Sequence, residues 1–278
     1  MANSYEKRLN RVIDHIHDNP AGDLSLDSLA DVAALSRFHF HRVFAAMTGE
    51  TAAQTVRRMR LHRAAVALVQ GEAPLAKIAR QVGYPNLASF SRAFSDAYGV
   101  TATAFRNRGE LRPFPATKPQ KGLLMYPVTL RTDPARRLVC LPHKGAYPEI
   151  GRAFEKLGAT IAARGLFPRM GHMVGVYYDS PADVAPDALR SHAGFETAAD
   201  TPIAAPLQEV DLPGGRHAVL TFKGPYAGLP AAYDQLFGIW LPTSGETPAN
   251  SPIFEVYLNS PMDTAPEDLV TEICLPLA

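Results

Sequence analysis

Apolar residues recur at spacings of three and four over two stretches about 50 residues apart. In LDSLADVA (26–33) they are Leu26, Leu29 and Val32; in LAKIARQV (75–82) they are Leu75, Ile78 and Val82. That spacing lines one face of a short helix. A brief break follows each stretch and ends at Ser36 or Asn86, both strong N-cap residues. Beyond each cap comes F-x-R-x-F, then four residues and a glycine: Phe40, Arg42, Phe44, Gly49, and again Phe90, Arg92, Phe94, Gly99. The predicted unit is a short helix, a tight turn and a capped second helix, at about 26–48 and 75–98. This is the helix-turn-helix pattern, twice. Between the units, TAAQTVRRMRLHRAAVALVQ (51–70) has no Pro or Gly and reads as one helix of about 18 residues, roughly 27 Å long.

The pattern changes after residue 122 and repeats a second time. HKGAYPEI (143–150) returns as FKGPYAGL (222–229), and VYYDSP (176–181) returns as VYLNSP (256–261). A β-rich run precedes each KG, RLVCLPH and then HAVLTFK. A helical stretch follows each, IGRAFEKLGATIAARG and then LPAAYDQLFGIWLP. Each half reads strand, helix, strand, and the two halves should pack about a pseudo-twofold axis with a pocket between them. The fold class expected is therefore multidomain: an all-α double helix-turn-helix domain, then an α+β domain of two pseudo-symmetric β-α-β-type repeats. The boundaries expected are 1–110 and 123–278. A polar segment with Pro113, Pro115 and Pro119 links them over 111–122.

Composition narrows the class. Of 278 residues, 46% are hydrophobic and 20% charged, as in a globular protein. No apolar run approaches the roughly 18 residues of a membrane span, and the charged N-terminus has no signal core, so a cytoplasmic chain with no membrane partner is expected. Cys140 and Cys274 make neither a disulfide framework nor a CxxC pair. The net charge of +1 hides a split: residues 1–112 carry 15 Lys and Arg against 10 Asp and Glu, and residues 113–278 carry 13 against 17. The basic part suits a polyanion.

The repeated arginines fit that partner. Phe40 and Phe44 share the inward face of their helix, and Arg42 lies about 200° round from Phe40, pointing outward beside Phe38 and His41. Arg92 has the same relation to Phe90 and Phe94. An outward arginine can fork onto guanine O6 and N7 in a major groove, or hold a phosphate. A lone helical arginine is more often a solvated charge; recurrence at the same place in two units favours contact. The intervening helix is long enough to hold two reading helices near the ~34 Å between successive groove faces. Its RRMRLHR segment could touch phosphates, although charges on a connecting helix are more often just solvated.

The run I-A-x-x-V-G-Y-x(5)-F-S-R-A-F-x(4)-G-V-x(5)-R, Ile78 to Arg106, resembles the AraC/XylS family of bacterial transcription activators, and the resemblance covers about residues 4–108. It implies base or phosphate contacts from Arg37, Phe38, His41 and Arg42 in the first unit. In the second it implies them from Leu87, Ala88, Ser89 and Arg92. Leu87 and Ala88 are poor hydrogen-bonders, so the second unit is expected to anchor phosphate more than to read bases. The family also implies double-stranded DNA and RNA polymerase as partners; two reading helices in tandem let one chain occupy a complete site, so a monomer or weak dimer is expected.

PHKGAY, YYDSP, LPGGRHAVLTFKGPY, W-L-P-x-S-G, FEVYLNSP and TEICLPLA resemble, in number and order, the GyrI-like small-molecule-binding domain over roughly 125–278. That resemblance implies a small-molecule effector, and an acidic residue in its cleft matches Glu255. In IFEVYLN, strand alternation puts Ile253, Glu255 and Tyr257 on one face. A carboxylate among Ile, Phe, Val and Tyr is costly to bury without a partner. Tyr147, Tyr226 and Trp240 are the aromatic residues expected around it, a setting for a lipophilic cation or amphiphile. A rim position bonded to a backbone amide is the alternative placement for Glu255. No cofactor motif is present: His39-x-His41 and His15-x-His17 point apart on a helix, and there is no GxxxxGK[ST] or GxSxG. The competing function is a small-molecule hydrolase with Glu255 as general base.

Overall fold

The computed structural model describes residues 4–109 and 126–278. The segment read as a linker, 111–122, lies outside the described residues. Those residues belong to two compact units, one within Met1–Leu35 and Thr48–Gln120, the other within Ser36–Met47 and Lys121–Ala278.

The first unit is helical: α1 (Ser4–Asp18), α2 (Leu26–Ala33), α4 (Ala52–Gln70), α5 (Leu75–Gln81), α6 (Leu87–Tyr98) and α7 (Ala102–Arg108). Local chemistry fixes several starts. Ser25 accepts from the Ser28 amide at the head of α2, and Thr51 with Gln54 forms a capping box at the head of α4. Asn86 Oδ1 accepts from the Ser89 amide at 2.8 Å to open α6. The core around α6 joins Phe90 and Phe94 to Leu61, Leu68, Ile78 and Phe105. Phe94 meets Phe105 edge-on at 5.3 Å. The RRMRLHR arginines are largely spent on this fold. Arg58 pairs with Glu50, Arg60 donates to the Pro20 carbonyl at 2.7 Å, and Arg63 donates to the His17 carbonyl at 2.7 Å.

The second unit holds one eight-stranded antiparallel sheet: β1 (Val128–Asp133), β2 (Arg136–Lys144), β3 (Met170–Tyr177), β4 (Arg190–Thr197), β5 (Gln208–Leu212), β6 (Gly215–Lys223), β7 (Ile253–Tyr257) and β8 (Val270–Pro276). The helices α8 (Gly151–Ala163) and α9 (Leu229–Gln235) follow β2 and β6. A π-turn over Leu236–Trp240 continues α9. Each half is therefore two strands, a helix and two strands, longer at both ends than the strand-helix-strand core legible in the repeats. The sheet order is β1-β6-β8-β7-β3-β4-β2-β5. Reading inward from either edge gives the same sequence of equivalent strands, with one twist: the first strand of each half pairs with the second strand of the other. Both KG turns place glycine at a φ other residues avoid, 142° at Gly145 and 140° at Gly224. Their amides donate to the carbonyls of Leu189 and Leu269, tying each turn to the same point of its half.

The second unit also contains α3 (Arg37–Thr48), the second helix of the first helix-turn-helix motif. Ser36 precedes it, but the Ser36 hydroxyl is buried without a hydrogen-bond partner, so the expected side-chain cap does not form. Among the described residues, no helix is long and apolar enough to cross a membrane.

Candidate functional site

The pseudo-twofold passes through the pairing of β3 with β7. Gly175 lies opposite Glu255, and these two residues are 80 positions apart, the offset of the repeat itself. The flanking equivalents, Tyr177 and Tyr257, meet hydroxyl to hydroxyl at 2.7 Å. The repeat continues outward: the Tyr147 ring stands edge-on to Tyr177 at 4.8 Å, and the Tyr226 ring edge-on to Tyr257 at 5.4 Å. At the centre the symmetry breaks. A side chain at Gly175 would bring a Cβ to 2.8 Å from the Tyr177 hydroxyl and 2.9 Å from that of Tyr257. One half therefore supplies the space for the tyrosine pair and the other supplies the single carboxylate.

Glu255 is 3% exposed. Its Oε2 accepts from the Tyr257 hydroxyl at 2.7 Å and its Oε1 from the Tyr233 hydroxyl, on α9, at 2.8 Å. The rim placement bonded to a backbone amide does not occur. Alternation along β7 sends Phe254 and Val256 to the opposite face, among Val174, Val176, Val219 and Cys274, and leaves Glu255 with the tyrosines. Burial raises the Glu255 pKa, and the phenolic hydrogen bonds oppose the rise. Burial, reinforced by the Glu255 charge, pushes Tyr177, Tyr233 and Tyr257 well above the usual phenol range. All three stay protonated and can donate.

Tyr257 is thus part of this cage, as expected from the sequence, and Tyr226 borders it. Tyr147 reaches it only through Tyr177, because the Tyr147 hydroxyl donates to the main-chain carbonyl of Asp179 at 2.8 Å. Trp240 is half-buried on the π-turn, and among the described residues no ring contact joins it to the cage. Three participants were missed in the sequence: Tyr177, Tyr233 and Phe237. The first two were within reach, as the repeat partners of Tyr257 and Phe154. A separate groove of about 430 Å³, lined by His143, Lys144, Glu149, Arg152, Lys156 and Pro206 among others, shares no residue with the cage.

The two reading helices differ in what surrounds them. On α6, Leu87 (41% exposed), Ala88 and Arg92 face solvent, and Ser89 is half-buried. On α3, Arg37 is exposed and Phe38 half-buried, but His41 is 3% exposed and His39 fully buried. The His39 ring stacks on Phe237 at 6.0 Å. The Arg42 guanidinium lies 4.9 Å from the centre of the Tyr233 ring and 5.7 Å from that of Phe237. Its Nη2 donates to the Asp179 carbonyl at 3.1 Å, while its Nε is buried without a partner. The outward direction expected of Arg42 and His41 therefore does not lead to solvent here; it leads to the aromatic surface of α9 and the π-turn. Gly238 permits that approach, since a Cβ there would come within 3.0 Å of the Ala46 carbonyl. Burial, followed by the Arg42 charge, lowers the pKa of His39 and of His41 to about 3, so both rings are neutral.

The described residues thus hold a duplicated sheet with a buried, tyrosine-held carboxylate at its centre and, ahead of it in the sequence, two helix-turn-helix motifs. Sequence comparison agrees. Residues 126–278 match the GyrI-like small molecule binding domain, and residues 29–108 match a helix-turn-helix domain. The chain belongs to the GyrI-like family, with an AraC-type helix-turn-helix region in front of that domain. It is 33% identical over 130 residues to a DNA gyrase inhibitor of Edwardsiella ictaluri, covering 45% of this chain and 82% of that protein. It is 30% identical over 105 residues to the regulatory protein SoxS of Salmonella typhimurium, covering 38% of this chain and 98% of SoxS. An HTH-type transcriptional regulator of Haemophilus influenzae is 32% identical over 101 residues, 36% of this chain, and the match spans 34% of that regulator's length.

Proposed function

We propose that the chain is a DNA-binding transcriptional regulator whose C-terminal unit senses a lipophilic cation in the Glu255 cage. Double-stranded DNA is the partner of the helix-turn-helix units, and RNA polymerase is the further partner that the family implies. The observation that carries the sensing function is the buried Glu255 carboxylate, held by Tyr233 and Tyr257 and walled by aromatic rings. Phenolic hydrogens already take up part of the carboxylate's acceptor capacity, so what the site chiefly offers is negative charge and ring faces. A cation with diffuse charge and few N–H groups suits it best. The hydrolase reading uses the same residue, with Glu255 as general base, and catalytic turnover of a bound compound would favour it.

The test is calorimetric titration with tetraphenylphosphonium and with a neutral tetraphenyl analogue. In the low-dielectric cage the charge interaction is worth more than in water. Glu255→Gln should weaken cation binding by roughly 10-fold or more, about 1.4 kcal/mol, and leave the neutral compound unchanged. Equal cation affinity in the two proteins would remove Glu255 from the site.

A further inference from the structure

The cage already holds a cation, and it is part of the chain. Arg42 lies over the ring whose hydroxyl bonds Glu255, and over Phe237 beside it. It is the position a cationic effector would occupy if it used the same ring face. We infer that Arg42 is an internal competitor: α3 docks its reading arginine into the effector cage, and an incoming cation displaces it and frees α3 for DNA. This inference rests on the sensing function proposed above and adds its mode of regulation.

Three features argue for a displaceable plug over permanent packing. First, the fit is incomplete for a guanidinium, because Arg42 Nε is buried with no hydrogen-bond partner. A cation without N–H groups would fill the same face with no such deficit. Second, Arg42 is held in this unit by a main-chain hydrogen bond, two ring contacts and a side-chain interaction with Tyr233, and it acts on Glu255 through its charge, while among the described residues no ion pair joins the two. Interactions of that kind are individually modest. Third, the helix that carries it is uncapped at Ser36 and lies against Gly238 with no side chain between. A docked Arg42 lowers the fraction of molecules able to accept an effector, and so lowers apparent affinity by that fraction. By linkage the effector raises the population of free α3 to the same degree.

The experiment measures tetraphenylphosphonium affinity in the full-length protein with three substitutions. Arg42→Gln removes the internal cation, and should tighten binding by about 10-fold or more. Gly238→Leu keeps Arg42 and the cage side chains but sets a side chain against the Ala46 carbonyl, which should push α3 away and so also tighten binding. Glu255→Gln should weaken it. Unchanged or weaker binding in both Arg42→Gln and Gly238→Leu, with the Glu255→Gln loss intact, would overturn the plug while leaving the sensor standing. No binding by any of the proteins would overturn the sensor itself. Hydrogen exchange supplies an independent reading: saturating tetraphenylphosphonium should raise exchange in α3 and not in α6. Unaltered exchange in α3 at saturation would overturn the displacement.

Discussion

The two reading helices carry the same F-x-R-x-F frame yet have opposite surroundings. On α6 the residues beside the frame are small or polar: Ala88, Ser89 and Ser91. The equivalent positions of α3, 50 residues earlier, are Phe38, His39 and His41. Small side chains leave a helix face open to whatever it meets in solution. Rings at the same positions create a surface that must be covered, and here Phe237 and Tyr233 cover it. A duplicated motif thus gives one helix face that stays open and another that is covered.

The largest effect that would break this contrast concerns DNA affinity. Without effector, Arg92→Ala should cost about 1–3 kcal/mol of binding, and Arg42→Ala far less, because Arg42 is engaged in the cage. With saturating tetraphenylphosphonium the Arg42→Ala loss should rise to the same range. Gel-shift titrations at fixed salt read both values, and the salt must be held constant since phosphate contacts release counterions. Equal losses for the two arginines without effector would end the distinction.

The next effect is a pH dependence confined to α3. His39 and His41 have a pKa of about 3 in the docked helix and regain ordinary histidine basicity when exposed. The released state therefore binds protons and the docked state does not, so docking is intact above about pH 6.5 and weakens below it. Each pH unit of descent weighs about 1.4 kcal/mol per histidine against the docked form. The charged groups facing them act in two directions: Arg42 disfavours the imidazolium, and Asp179 favours it at His41. Protonation of Glu255, whose pKa is raised, removes negative charge near Arg42 as pH falls and adds to the release. Hydrogen exchange corrected for intrinsic rates should show α3 loosening between pH 7 and 5.5 while α6 stays constant. Parallel behaviour of the two helices would contradict the assignment.

The smallest effect lies at the caps. Asn86→Ala removes a side-chain acceptor that is in use and should cost about 1 kcal/mol in thermal or urea unfolding. Ser36→Ala removes a hydroxyl that caps nothing and should cost much less. Matching losses would show that Ser36 does cap α3 in solution.

Much of this was legible in the sequence, for reasons that also mark its limits. The helices at 26–33 and 75–81 follow from apolar spacing, and the cap at Asn86 from residue type, because both are local properties. Glu255 announced itself as a charge in an apolar strand. Ser36 has the same capping chemistry as Asn86 but a buried hydroxyl, and burial is set by tertiary contacts that spacing does not encode. Trp240, the first residue of the W-L-P-x-S-G run, is expected near Glu255 from the resemblance, yet the π-turn shifts the register by which a helix presents its side chains. Tyr177 and Tyr233 were visible once the repeat was carried through residue by residue. The seat of Arg42 was not, since helical geometry gives a direction and not what lies along it.

The exchange of first strands between the two halves has a bearing on how the cage can open. β1 is laddered to β6 and β5 to β2, so each half clasps the other at an outer edge while β3 and β7 join them at the centre. Parting the halves would break three backbone ladders at once. A nick between Thr197 and Gln208 would leave the pieces fastened together, and the sheet should unfold as one object. The two-fold seam is therefore a locked hinge, and any opening toward Glu255 falls to the helical side, where Tyr233 of α9 holds the carboxylate and Arg42 of α3 lies on the Tyr233 ring.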